Sequence, residues 1–299
     1  MILISFLSNG IPSATGSISL LTTYLISITG TVTEKMVNYH NHTTLCGHAD
    51  GSMEEYVLAA IKSGVKEFGF SDHAPLPEHL REGISMLPEE AEVYIEDVLA
   101  VKDKFKDTIE VKLGFEVDFP RFETFKHTYL SDPRIDFIIG SVHYMGDWGF
   151  DNPDQRERYD ERPIDDIYSD FYSLVESLVD SRFCDIIGHF DLIKKFGHRA
   201  VSDISPVIRR IAKKMSQYGI AAEVNTSGLY KPVKEIYPSA EIIKIFFEEN
   251  VAVTLGSDSH SPDDVCRGYD AALSMLKNEG YRKVSGFTGR VRHEVDLPL

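Results

Sequence analysis

From Val37 onward, short apolar runs alternate with stretches of helical periodicity, and this alternation restricts the fold more than any other feature of the chain. Runs of this kind joined by helical crossovers pair in parallel, because a parallel neighbour cannot be reached through a tight turn. The runs that read as strands cover 37–42, 67–72, 109–115, 135–141, 184–189, 221–225 and 252–257. Helices are expected over 56–61, 88–106, 164–181, 205–217, 240–249 and 263–278. The first is announced by a capping box, Ser52 with Glu55, and stopped by Gly64; Pro88 suits the first turn of the second. Residues 145–162 read as a long polar loop that carries the only tryptophan, Trp148. No linker interrupts the pattern, so residues 36–299 are expected to form one α/β domain. A parallel barrel of seven strands, one short of the usual eight, fits them.

Each predicted strand ends on residues that bind metals or protons. The first gives His40-Asn41-His42 with His48 soon after, the second Ser71-Asp72-His73, and the third runs into Glu116. The fourth leads to His143, the fifth to His189, the sixth to Glu223-Val224-Asn225, and the seventh to Asp258-Ser259-His260. In a parallel barrel the C-terminal strand ends converge at one mouth, so these side chains should form a ring. Residues i and i+2 of a strand share a face, so His40 and His42 can aim at one cation, and Asp258 and His260 repeat the device. A lone histidine is more often a hydrogen-bonded core residue. Seven of the 11 histidines at strand ends are another matter, since burying them together without metal would cost heavily in desolvation. Glu116 follows an apolar run and should sit inside the mouth, where its two oxygens can bridge cations. Asp72 and Asp118 are either orienters of histidine ligands or loop acids. Cys46 is not expected to bind metal, since phosphate chemistry needs exchangeable N and O donors.

Charge narrows the function classes. A formal net charge of -16 is unsuited to nucleic acid or an anionic membrane, both of which call for a basic face. A small phosphate ester is also an anion, but bound divalent cations offset the acidity locally. Three widely spaced cysteines without a C-x-x-C pair argue against a disulfide framework and suit a reducing cytoplasm. Residues 1–35 are uncharged up to Glu34 and lack the basic start of a signal peptide, while polar residues interrupt any membrane span. They are expected to be a disordered or non-native extension, with Met36 the native start; an uncleaved anchor is the alternative.

The ordered series H-x-H, H, H, E, H, H, D-x-H, from His40 to His260, resembles the polymerase and histidinol phosphatase (PHP) family over residues 36 to about 293. The resemblance implies a distorted (β/α)7 barrel with three divalent metal ions, of zinc, manganese or iron. Carried over to this chain, it implies one ion on His40, His42, Glu116 and Asp258, a second on Glu116, His143 and His189, and a third on His48, His73 and His260. The stretch from Gly146 to Pro153 and that from Glu223 to Gly228 resemble the histidinol-phosphatase branch. That branch implies hydrolysis of the small phosphate monoester L-histidinol phosphate to L-histidinol and phosphate, in histidine biosynthesis.

On this reading two cations share a hydroxide that attacks phosphorus, Glu116 fixes the pair, and Asp258 or His260 protonates the leaving alkoxide. Asn225, Arg158 and Lys194 are the expected substrate contacts, with Arg156 and Arg162 as further candidates. Two rivals remain: a phosphoesterase of the same family acting on phosphotyrosine or nucleotides, and a non-catalytic metal-binding module.

Overall fold

The computed structural model describes residues 36–122, 125 and 128–298. The expectations for residues 1–35 lie outside them. Seven strands run parallel in chain order: β1 Met36–Asn38, β2 Val65–Phe70, β3 Glu110–Asp118, β4 Phe137–Ser141, β5 Ile186–Ile187, β6 Ala221–Asn225 and β7 Val253–Gly256. The first and last meet just past their ends. Tyr39 N donates to Leu255 O and His42 N to Ser259 O, both at 2.9 Å, which curls the sheet into a nearly closed barrel. Helices α1 Met53–Lys62, α2 Glu90–Phe105, α3 Ile164–Ser181, α4 Ser205–Tyr218 and α5 Ala240–Glu248 lie in crossovers between successive strands, and α6 Tyr269–Glu279 follows β7. The capping box of α1 forms as expected, each of Ser52 and Glu55 receiving the other's backbone N–H. In α3 the buried positions Ile167, Phe171, Val175 and Val179 recur every four residues, one apolar stripe turned inward.

The barrel interior is packed rather than hollow. Phe137 fills it beneath the mouth and meets Tyr39 edge-on, with ring centroids 4.8 Å apart. Gly114 makes room, since a Cβ there would lie 2.4 Å from the Phe137 ring. With that floor in place, the polar ends of the strands have nowhere to go but the mouth.

Four expectations need correction. Strand β1 ends at Asn38, so His40 and His42 lie beyond it, although the seam bonds keep their stretch extended. Strand β3 runs on past 115 to Asp118, which makes Glu116 and Asp118 buried strand residues and removes the loop-acid alternative for Asp118. The last helix begins at Tyr269 rather than 263: a 3-10 turn, Pro262–Asp264, is followed by left-handed backbone at Cys266 (φ 60°) and Gly268 (φ 83°), which breaks the helical path. The 145–162 loop holds a small hairpin, Tyr144–Met145 with Trp148–Gly149, and a 3-10 helix, Pro153–Asp160, and Trp148 is buried.

A further element, the hairpin Lys283–Thr288 with Val291–Asp296, has no counterpart in the sequence reading. It turns on Gly289 and Arg290, both at positive φ (55° and 66°), as a two-residue hairpin loop prefers. It covers the end of the barrel opposite the ligand ring: Thr254 Oγ1 donates to Ser285 O at 2.8 Å, Lys112 Nζ to Thr288 Oγ1 at 2.8 Å, and His293 Nε2 stands 2.9 Å from Glu67. Among the described residues, no helix is long and apolar enough to cross a membrane.

Candidate metal centre

Strand geometry brings all nine expected ligands into one cluster at the C-terminal mouth. Glu116, near the end of β3, is its hub. Its Oε2 lies 3.3 Å from His40 Nε2 and 3.1 Å from His73 Nδ1. Its Oε1 lies 3.0 Å from His189 Nε2 and 3.5 Å from His143 Nε2. Asp258 faces the first motif from across the seam, its Oδ1 3.2 Å from His42 Nε2 and 3.8 Å from His40 Nε2. His48 and His260 approach each other through their Nε2 atoms at 3.0 Å, and the His260 ring stacks on His42 at 4.1 Å.

A second layer of acceptors sets the tautomers. His40 Nδ1 donates to Glu223 Oε1 at 2.7 Å, His42 Nδ1 to Asp72 Oδ1 at 3.3 Å and His143 Nδ1 to Asp118 Oδ1 at 3.0 Å. His48 Nδ1 meets Cys46 O at 3.0 Å and His260 Nδ1 meets Asp258 O at 3.1 Å. In all five the Nδ1 edge is engaged outward, which leaves the Nε2 lone pair for the centre, as metal-binding imidazoles require. Asp72 and Asp118 are therefore orienters. Glu223 joins them; the sequence places it at the end of the sixth strand, two residues before Asn225 on the same face, but gives it no role.

The donor set fits cations. His40 Nε2 and His73 Nδ1 are buried and make no hydrogen bond among the described residues, although each stands close to Glu116. The ligand atoms of His40, His42 and Asp258 lie within 4.8 Å of one another, as do those of His48, His73 and His260. Electrostatics agree. Burial raises the Glu116 carboxyl, but the imidazoles of His40, His73 and His143 outweigh it and hold it well below the usual range. Burial also raises Asp258, and His40 and His42 reverse the effect in the same way. Burial drives His73 and His260 down to about 3, so both are neutral donors. For His42 and His143 burial also lowers the value, but carboxylates more than offset it and hold them at about 9 and about 10. Without metal, the cluster keeps protons where cations would sit. Cys46 lies within reach of His42 and His260, yet its thiol donates to Thr43 O at 3.1 Å and burial pushes it up to about 12.

The centre opens into a cavity of about 830 Å³. The expected substrate contacts fare differently from the ligands. Asn225 reaches the centre, but its amide is engaged with Asp258 Oδ2 at 3.3 Å and Ser227 N at 2.9 Å, and it does not line the cavity. Lys194 does not reach the cavity either: it is 1% exposed and bonded to Asp191 at 2.8 Å, Glu235 at 3.2 Å and Ile236 O at 2.8 Å. Arg158 pairs with Asp147 at 3.2 Å and lies over the Trp148 ring, facing a separate groove, while Arg162 pairs with Asp170 at 2.7 Å and Arg156 lies over Phe196. The cations that do line the cavity are Lys195, Lys231 and Arg267.

Comparison with known proteins gives a consistent answer. The family model of the PHP domain matches residues 38–227. A probable histidinol-phosphatase of Deinococcus radiodurans is 40% identical over 82% of this chain and 94% of its own length. The histidinol-phosphatase of Bacillus subtilis is 27% identical over 78% of this chain and 97% of its own. Among solved structures, histidinol phosphate phosphatase of Lactococcus lactis, complexed with zinc, L-histidinol and phosphate, superposes with a TM-score of 0.72 at 22% identity, covering 87% of this chain and 99% of that one.

Proposed function

The chain belongs to the PHP family, and on that premise we propose that it is a metal-dependent histidinol-phosphatase, releasing phosphate from L-histidinol phosphate in histidine biosynthesis. The observation that carries this reading is the Glu116 hub, a buried carboxylate with five imidazoles around its two oxygens in a relative of histidinol-phosphatases. His40, His42, Glu116 and Asp258 would hold one divalent ion, Glu116, His143 and His189 a second, and His48, His73 and His260 a third. Zinc, manganese and iron all accept such nitrogen and oxygen donors. Bound there, the ions supply Lewis acidity and positive charge for a phosphoryl group in a site that is otherwise acidic.

The chain's own residues do the rest. Glu116 would be shared between two of the ions. Asp72, Asp118 and Glu223 hold imidazoles in register. Asp258 presents Oδ2 toward the cavity wall between Asn225 Nδ2 and Ser227 Oγ, the latter at 3.1 Å. From that position the ionised carboxylate can take the proton that the attacking water gives up and hand it to the departing alkoxide, and Asn225 is a positioning residue for it.

Turnover of L-histidinol phosphate, O-phosphotyrosine and a mononucleotide by the metal-loaded protein tests the assignment. The expected result is a kcat/KM for L-histidinol phosphate well above the others. Equal or better use of either competitor would keep the metallophosphatase and remove this substrate.

A further inference from the structure

One polar group on the cavity wall has no work in the scheme above. Tyr237 lines the cavity and is 1% exposed, and its hydroxyl has no hydrogen-bond partner among the described residues. A buried hydroxyl without a protein partner is costly unless something else satisfies it, and one on a cavity wall is placed to meet a ligand. The ring cannot swing away to find another partner. Its backbone is paired with Asn225 in both directions, at 2.7 and 3.0 Å, and Gly228 packs so tightly against it that a Cβ there would lie 2.7 Å from Tyr237 Cε2.

The surroundings indicate the sign of that ligand. Burial pushes the Tyr237 phenol up, and Asp191, Asp258 and Asp151 push it further, so the hydroxyl stays protonated. Its lone pairs suit a donor, and an acidic neighbour on the same cavity wall suits a positively charged one. Asp151 also lines the cavity. Burial raises its carboxyl, but Lys195, at 3.0 Å, and the imidazoles of His143 and His189 hold it below its usual value, so it is ionised beside the metal ligands.

Resting on the proposed substrate, we propose that the Tyr237 hydroxyl and the Asp151 carboxylate receive the ammonium group of the phosphate ester's amino-alcohol portion. In L-histidinol phosphate the amine is borne on the carbon next to the ester methylene, so its receptor must lie beside the phosphoryl site. Tyr237 and Asp151 meet that condition, lining the same cavity as Asp258, His143 and His189.

The test compares L-histidinol phosphate with its deamino counterpart, imidazolylpropyl phosphate, in metal-loaded wild type, Tyr237→Phe and Asp151→Asn. Either substitution should lower kcat/KM for the amine-bearing ester roughly 10- to 100-fold, the value of a hydrogen bond to a charged group. The loss should fall mainly on KM and be much smaller for the deamino ester. Parallel losses on both esters, or no loss on either, would overturn the proposal. Wild type that ignores both esters would remove the underlying substrate reading instead. The ammonium site is then judged by inhibition of p-nitrophenyl phosphate turnover: amino alcohols should inhibit better than their deamino analogues in wild type but not in Tyr237→Phe, and equal inhibition in wild type would overturn it.

Discussion

Glu223 accepts from His40 Nδ1 with one oxygen and from the backbone N–H of His189 with the other, at 2.8 Å, and so ties together residues assigned to two different ions. Glutamine can accept through only one oxygen, so Glu223→Gln should weaken metal affinity or activity by roughly 10- to 100-fold, as outer-shell changes do. Titration of the chelated variant with manganese checks this, and an unchanged affinity would contradict it. The candidate ligands were legible in sequence because they cluster at the ends of apolar runs, where only the mouth is available. Substrate contacts were not. Lys194 and Lys195 are adjacent in a short 3-10 turn, and nothing in their order tells which one turns to the cavity; Lys195 does, while Lys194 is locked against Asp191 and Glu235. Lys194→Met would leave Asp191 buried without its cation, and a loss of about 3–5 kcal/mol is expected for breaking such a pair. Thermal or urea unfolding should reveal a stability defect rather than a raised KM.

At the scale of elements, the parallel strands and their crossover helices were readable because apolar runs and 3.6-residue periodicity alternate without interruption. Boundaries moved where long-range pairing decided them: β3 extends to Asp118 because it pairs with β4 from Gly114 to Asp118, a register that the residues of β3 alone do not reveal. The C-terminal hairpin was missed although its signal is present, a Gly289-Arg290 turn between two alternating runs. Arg290 serves the fold as well as the turn. It pairs with Asp185 through Nε and donates to Phe183 O at 2.8 Å and Leu130 O at 3.3 Å. Arg290→Ala should therefore cost about 2–3 kcal/mol, below the value for a fully buried pair because Arg290 is partly exposed. An unfolding midpoint equal to wild type would show that the hairpin contributes little to the barrel.

For the whole molecule, a chain of net charge -16 gathers seven of its 11 histidines at one mouth, and metal ions reconcile that arrangement with folding. A cation that binds only the native state stabilises it by mass action, about 2.7 kcal/mol at 100 times its Kd, so the chelated protein should melt at a lower temperature than the loaded one. Protons compete for the same sites. With His42 held at about 9 and His143 at about 10 in the metal-free protein, both carry protons at neutral pH, and binding must expel them. Apparent metal affinity should keep rising with pH through 7 and flatten only near 9–10; a plateau already at pH 6–7 would contradict this. The most direct test of the whole account is phosphate release from L-histidinol phosphate before chelation, after complete metal removal, and after refilling with manganese or zinc. Activity should vanish with the metal and return with it. Turnover that survives metal removal, or a fully loaded protein that releases no phosphate, would contradict it.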